Sequence, residues 1–217
     1  MVGGMIISTK DGKIPYCQEK FPNISVSDEG NNNVIETSLT VNQVMKIGNL
    51  EIVFRGDNNK LIIGNIKIKT KVWCRFLNVP NIRCNGAEIK ISDGTFFNGN
   101  VYLNTYEGKS INIGNDCLFA GGVNLRTSDA HTIYDISSLE RINIAKDIFI
   151  GNHVWIGMDA LLLKGSYIAD DCVVGMKSII TKHFEETNCI LAGSPAKIVK
   201  RKINWARGNQ FDGGIWR

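Results

Sequence analysis

Between Ile150 and Thr181 an aliphatic residue returns every sixth position. Read in sixes the stretch is IGNHVW, IGMDAL, LLKGSY, IADDCV, VGMKSI and IT, so the blocks open on Ile150, Ile156, Leu162, Ile168, Val174 and Ile180. The fifth positions are Val154, Ala160, Ser166, Cys172 and Ser178, all small or slim, and Gly151, Gly157 and Gly175 fill second positions. An α-helix advances about 600° over six residues, which carries the anchors off any single face. A parallel β-helix accommodates them. Each hexad becomes one short strand and one corner, the anchor points inward, and the fifth residue is slim enough to turn.

A looser version of the pattern covers the preceding residues. From Gly30 onward, Gly- and Asn-rich turns lead into alternating Ile, Val and Leu, in the segments beginning at Gly30, Gly56, Asn85 and Glu107. Asn and Gly tolerate the left-handed backbone that sharp corners require. These segments read as early, irregular coils, with an ordinary antiparallel β-domain as the competing reading. The register sharpens at Ile113, runs through IGNDCL and FAGGVN, and reaches Leu125. The distance from Leu125 to Ile150 is not a multiple of six, so an insertion at 126–149 interrupts the coil. A loop that breaks a regular scaffold is a natural mount for function.

The predicted organisation is therefore all-β. Residues 1–29, with Pro15 and Pro22, form an irregular cap, residues 30–182 form the coil, and residues 183–217 form an end piece. Phe184 falls at a fifth position and is too large for a corner, which ends the repeat. The turn Gly193-Ser194-Pro195 leads into AKIVKRKINWAR, predicted as a short basic C-terminal helix with Pro near its start. Phe211 and Trp216 in the tail are expected to pack on a neighbour.

Composition narrows the function. Of 217 residues 22 are Gly and only 4 are Pro, which favours tight corners over a helical bundle. A net charge of +4 is too weak for a nucleic-acid binder. It suits an anionic substrate, or it serves solubility alone. The six cysteines include no CxxC pair, and Cys117 and Cys172 occupy fifth positions, so they read as slim buried residues. Nothing points to a disulfide framework, and a reducing cytoplasm is expected. The N-terminus lacks a basic, then apolar, leader, and no apolar run is long enough to span a membrane.

Taken together, IGNDCLFAGGVNLRTSDAH, ERIN, IGNHVWIGMDALLLKGSYI, VVGMKSIITK and AGSPAKIV resemble the hexapeptide-repeat acyltransferases. The likeness leans toward the branch that O-acetylates sugars and bacterial surface polysaccharides, including capsular sialic-acid polymers. It implies a left-handed parallel β-helix, a homotrimer with active sites between subunits, and acetyl-CoA as donor. The absence of a helical N-terminal segment weakens the likeness to the acetyltransferases of small free sugars. Competing readings are an N-acetyltransferase of amino sugars or nucleotide sugars, and a non-catalytic β-helix that binds a partner. A carbonic anhydrase on this fold needs a closely spaced His pair for zinc, which His131, His153 and His183 do not provide, so no metal site is expected.

Acetyl transfer from a thioester to a hydroxyl needs a base, an oxyanion donor and alignment of two substrates. His131, in the inserted loop, matches the family's general base and suits proton transfer near neutral pH. Asp129 either orients that imidazole or caps a turn. Trp155, spaced from His131 as in the sugar acetyltransferases, walls the acetyl channel, donates its indole N–H or stacks on a sugar, against a plain role in subunit packing. Backbone N–H groups near Gly157 are expected to share the oxyanion. Coenzyme A is expected along Gly157, Gly175 and Met176, at Thr181 and Lys182, with Lys197 and Lys200 near its phosphates. Asn98, with Asn100 as the other choice, and Tyr134, Arg126 and Arg141 are candidates to meet the acceptor, against a solvated loop face.

Overall fold

The computed structural model describes residues 5–208 and the backbone of 211–212 and 215–216. Three sheets wrap around one core: sheet A with nine strands, and sheets B and C with seven each. The chain visits them in the order A, C, B and back to A. One circuit runs from Glu88–Ile91 on A through Phe96–Phe97 on C and Val101–Tyr106 on B to Ile111–Ile113, again on A. Between successive coils the pairing is parallel, as in Ile91 with Ile113, Ile113 with Ile150 and Ile150 with Ile168. Parallel pairing extends to Val34–Thr37 against Lys60–Ile63, which removes the antiparallel reading of the early segments. The architecture is the left-handed parallel β-helix.

The hexad arithmetic explains the core. Ile156, Leu162, Ile168, Val174 and Ile180 are fully buried, and so are Val154 and Cys172. Each buried aliphatic side chain contributes about 1.5–3 kcal/mol relative to exposure. The Ser166 hydroxyl donates to the carbonyl of Ile180 at 3.0 Å, so a polar fifth residue stays satisfied inside a corner. The N-terminal coils hold larger residues, with Phe54 stacked on Phe76 at 4.7 Å and Phe97 on Phe119 at 5.0 Å. Corners between sheets A and C are stitched from coil to coil. Asn152 accepts from the Asn115 amide at 2.9 Å, and Asp170 accepts from the Asn152 amide at 2.7 Å.

The ends differ from the sequence reading. Residues 1–29 supply strands Ile6–Thr9, Gly12–Pro15 and Ile24–Asp28, the first and last paired with coil strands. Alternation in ISVSD, with Ile24 buried, lets Ile24–Asp28 join sheet B. In the next circuit a helical turn, Val41–Val44, stands between the sheet A strand Val34–Thr37 and the sheet B strand Leu50–Phe54; Thr40 and Gln43 form its capping box, and Val44 is buried. Phe184 is not a corner residue. It pairs with Ile168 in the anchor column, because the last corner is two residues shorter than a hexad allows. The C-terminal helix is absent: Ala196–Lys200 is a strand, antiparallel to Ile190–Gly193 on sheet C. β-branched Ile198 and Val199 and an open sheet edge outweigh the helix-start signal of Pro195. The insertion is also shorter than 126–149. Arg126 ends one strand and Ile148 begins the next. The side chains of Phe211 and Trp216 lie outside the described residues.

Candidate active site

Two corners of the prism carry the candidate residues. The first lies between sheets C and B. There Asn98, Ala120, Gly157 and Gly175 stack coil upon coil, each donating its backbone N–H to the coil above at 2.8–2.9 Å. A Cβ on Gly157 would sit 2.7 Å from both the Met176 nitrogen and the Val174 carbonyl, so only glycine allows this approach. Met158 and Met176 project into solvent beside the column. Trp155, two residues before Gly157, lies on the outer face of sheet C in a rung with Leu118 and Val173. The residue is 39% exposed, and its ring tilts against Trp205 at 6.1 Å. Among the described residues its indole N–H meets no acceptor, whereas the Gly157 N–H is held by Val174 at 2.8 Å. Gly157 itself therefore has no free donor for an oxyanion.

The second corner lies between sheets B and A, where the loop 127–147 opens. The strand Val123–Arg126 ends and Thr127 turns inward, its hydroxyl accepting from the Tyr106 amide at 2.8 Å. Ser128 donates to Glu107 and accepts from the Ala130 amide at 3.0 Å. Ala130 has φ of 66°, a left-handed bend rare for a residue with a Cβ, immediately before His131. The loop then folds back on itself, with Tyr134 bridging Arg141.

Asn143 ties this loop together. It is buried, donates to the His131 carbonyl at 2.7 Å and to Asp129 at 2.9 Å, and accepts from the Ile133 amide at 2.8 Å. Arg141 donates to Glu107 at 2.6 and 2.9 Å. Lys164, from the next coil, bonds Asp129 and the Asn143 carbonyl. Burial acts to raise the pKa of Asp129, but Lys164 and Asn143 outweigh it and hold the carboxyl below its ordinary range. For Glu107 the two Arg141 bonds dominate over burial and lower it likewise.

These contacts revise two assignments. Asp129 meets Lys164 and Asn143, and among the described residues it makes no hydrogen bond to the His131 ring. Arg141 is taken up by Glu107 and is not free for an acceptor. Glu107, Ser128, Asn143 and Lys164 were not singled out by sequence; Asn143 closes the ERIN motif, but no spacing links these four positions. Tyr134 is 56% exposed on the loop. Of the other histidines, His153 is held by Asp116 at 2.8 Å and by the Trp205 carbonyl at 3.0 Å, and His183 lies beside Tyr167. His131 is thus the histidine in the loop whose ring has no hydrogen-bond partner among the described residues.

The coenzyme candidates divide between the corners. Gly175 and Met176 belong with Trp155, whereas Thr181 and Lys182 are exposed at the B/A corner two coils beyond the loop. Lys182 and Lys197 line one shallow cavity of about 360 Å³ with Arg201, whose guanidinium is paired with Glu186 at 2.9 Å. Lys200, on the same strand as Lys197, is exposed outside that cavity. Among the described residues no cluster of three His, Cys, Asp or Glu side chains could hold a metal ion, and no helix is long and apolar enough to cross a membrane.

A hexad coil interrupted at one corner by a histidine-bearing loop, with a second, glycine-lined corner next to an outward Trp, defines a hexapeptide-repeat acetyltransferase. No protein-family model matches the chain. A polysialic acid O-acetyltransferase from Neisseria meningitidis is 40% identical over 192 residues, covering 83% of this chain and 89% of the relative. The crystal structure of the polysialic acid O-acetyltransferase OatWY superposes with a TM-score of 0.65 at 30% identity, over 87% of this chain and 90% of that one. The polySia-specific acetyltransferase NeuO gives 0.63 at 30% identity, over 88% and 92%. The chain belongs to the polysialic acid O-acetyltransferase family.

Proposed function

We propose that this enzyme transfers acetyl from acetyl-CoA directly to a hydroxyl of a capsular polysaccharide containing sialic acid, as a homotrimer with its site between subunits. The observation that carries this reading is a separation. His131 leaves from the B/A corner, Trp155 stands on sheet C, and the loop between Ile133 and Ile144 turns Ile136, Leu139 and Ile142 into solvent. An apolar loop of this kind is covered when it lies against another copy of the chain. Such a contact supplies each His131 with the Trp155 of the partner subunit.

In that site His131 takes the proton of the sugar hydroxyl, and the oxygen bonds to the acetyl carbonyl carbon. The indole N–H of the partner subunit's Trp155 donates to the oxyanion. The tetrahedral species collapses, the carbon–sulfur bond breaks, and the imidazolium returns its proton to the departing thiolate. Lys182 and Lys197 are suited to coenzyme phosphates, and the column Asn98, Ala120, Gly157, Gly175, with Met176 beside it, offers a surface smooth enough for an extended pantetheine arm, with Asn98 toward the acceptor. Free thiols at all six cysteines are compatible with a cytoplasmic setting.

Mixed trimers test the arrangement. Chains carrying His131→Ala and chains carrying Trp155→Ala are each expected to be nearly inactive. Refolded together in equal amounts, they regain about a quarter of wild-type turnover, because one interface in four combines an intact His131 with an intact Trp155. No recovery in verified mixed trimers refutes a shared site. A panel of polysialic acid, neutral polysaccharides, free sugars and nucleotide sugars, read by coenzyme A release, decides the acceptor and separates O- from N-acetylation.

A further inference from the structure

The outer face of sheet B carries an array that the proposed chemistry does not use. Ile52, Cys74, Leu103 and Leu125 point into the core, so their neighbours along each strand point outward. Glu51, Trp73, Tyr102 and Asn124 form one outward rung, and Val53, Arg75, Asn104 and Arg126 the next. Trp73 and Tyr102 stack at 4.4 Å, only 14° from parallel. Lys71 lies over Trp73 at 4.9 Å, Arg75 over Trp73 and Tyr102 at 5.6 and 5.7 Å, and Arg126 over Tyr106 at 5.2 Å.

Three cations therefore share one face, and among the described residues the carboxylate that pairs with any of them is Glu51. Glu51 accepts from Lys71 at 2.8 Å and from Arg75 at 3.2 Å, and Arg126 has no ion-pair partner among the described residues. The aromatic rings limit the rotamers of the cations above them, so the guanidinium groups are held ready rather than ordered on binding. Arg75 and Arg126 are two strands apart, about 10 Å. That spacing suits carboxylates on separate units of one chain. The strand bearing Arg126 ends there, and the chain runs on through Thr127 into the loop that carries His131.

We propose that this face is a docking subsite for the acidic glycan chain, where Lys71, Arg75 and Arg126 grip the polymer away from the reacting hydroxyl and lead it to the loop. The subsite rests on the acidic-polysaccharide reading of the acceptor. Weak, repeated ionic contacts along a polymer raise its local concentration at the site without changing the chemical step.

The test is steady-state kinetics of the full-length enzyme with long polysialic acid and with sialic acid oligomers too short to reach from Arg75 to His131. Arg75→Gln should raise KM for the long polymer about threefold to tenfold, and less so in high salt. Turnover number, KM for acetyl-CoA and KM for the short oligomer should stay unchanged. Glu51→Gln releases Lys71 and Arg75 and should lower KM for the polymer, a gain that misfolding does not produce. Unchanged polymer KM in both variants, or equal losses for long and short acceptors, overturns the subsite. Direct titration of polysialic acid into the same variants separates this proposal from the acceptor reading. Binding that weakens in Arg75→Gln without any acetylation leaves the subsite standing and sinks the acceptor. Acetylation with no change in the variants does the reverse.

Discussion

The side-chain amide of Asn143 holds the main-chain carbonyl of His131 at 2.7 Å. The same amide reaches Asp129, which Lys164 anchors to the next coil. The placement of the proposed base thus depends on a residue that never touches substrate, through a chain of contacts ending in the scaffold. Asn143→Ala removes the side-chain partner of the part-buried Ile133 N–H and His131 carbonyl, at about 0.5–1.5 kcal/mol each. Turnover is expected to fall at least about tenfold with little change in KM for acetyl-CoA. Kinetics at a temperature where circular dichroism shows the variant fully folded checks this. A variant that loses stability but keeps wild-type turnover would show that the clamp only holds the loop together.

Removing the base is a harsher change. His131→Ala is expected to lower turnover about 10²- to 10⁴-fold in a folded protein that still binds acetyl-CoA. Thiol release measures the rate. The rise in thermal midpoint on adding acetyl-CoA, set against apoprotein, confirms that the donor still binds. Wild-type thiol release from the folded variant would remove His131 from the mechanism.

Acid should loosen the loop. Arg141 and Ser128 hold the carboxyl of Glu107 below its ordinary range, while in the unfolded chain it titrates near about 4.3. Because the folded value is the lower one, the stabilisation is complete above the unfolded value and is lost as pH falls through the folded one. Asp129 is shifted in the same direction. The thermal midpoint should therefore decline below about pH 4. In Glu107→Gln it should start lower at neutral pH and decline less steeply. Parallel curves for the two proteins would show that this pair contributes nothing to acid sensitivity.

Two glycines in one corner column should behave differently. A Cβ at Gly157 meets fixed backbone at 2.7 Å, whereas at Gly175 the nearest atom is the Ala192 methyl at 3.1 Å. Gly157→Ala is expected to cost about 1–3 kcal/mol, and Gly175→Ala distinctly less. Denaturant midpoints at constant slope give the comparison. An equal loss at both positions would mean that the column relaxes freely.

The scaffold was legible because each anchor from Ile150 to Ile180 meets the same surroundings as the one six residues earlier, and repeated surroundings leave a repeated residue choice. The loop has no such redundancy. Glu107, Asp129, Asn143 and Lys164 meet once each, from positions with no common period, so Arg141 looked like a free cation when it was already paired. At the C-terminus Pro195 and the following basic residues imitate a helix start. The deciding influence, the unpaired edge of Ile190–Gly193, lies outside the segment itself. Phe184 was misplaced for a related reason: a corner that loses two residues keeps its anchor only in space.

The coil closes across the loop as though nothing intervened, since Ile111 and Ile113 still face Ile148 and Ile150 in unbroken register. Frame and excursion are separable inheritances. The excursion can be lengthened, shortened or rewritten while every coil on either side goes on folding by the same rule.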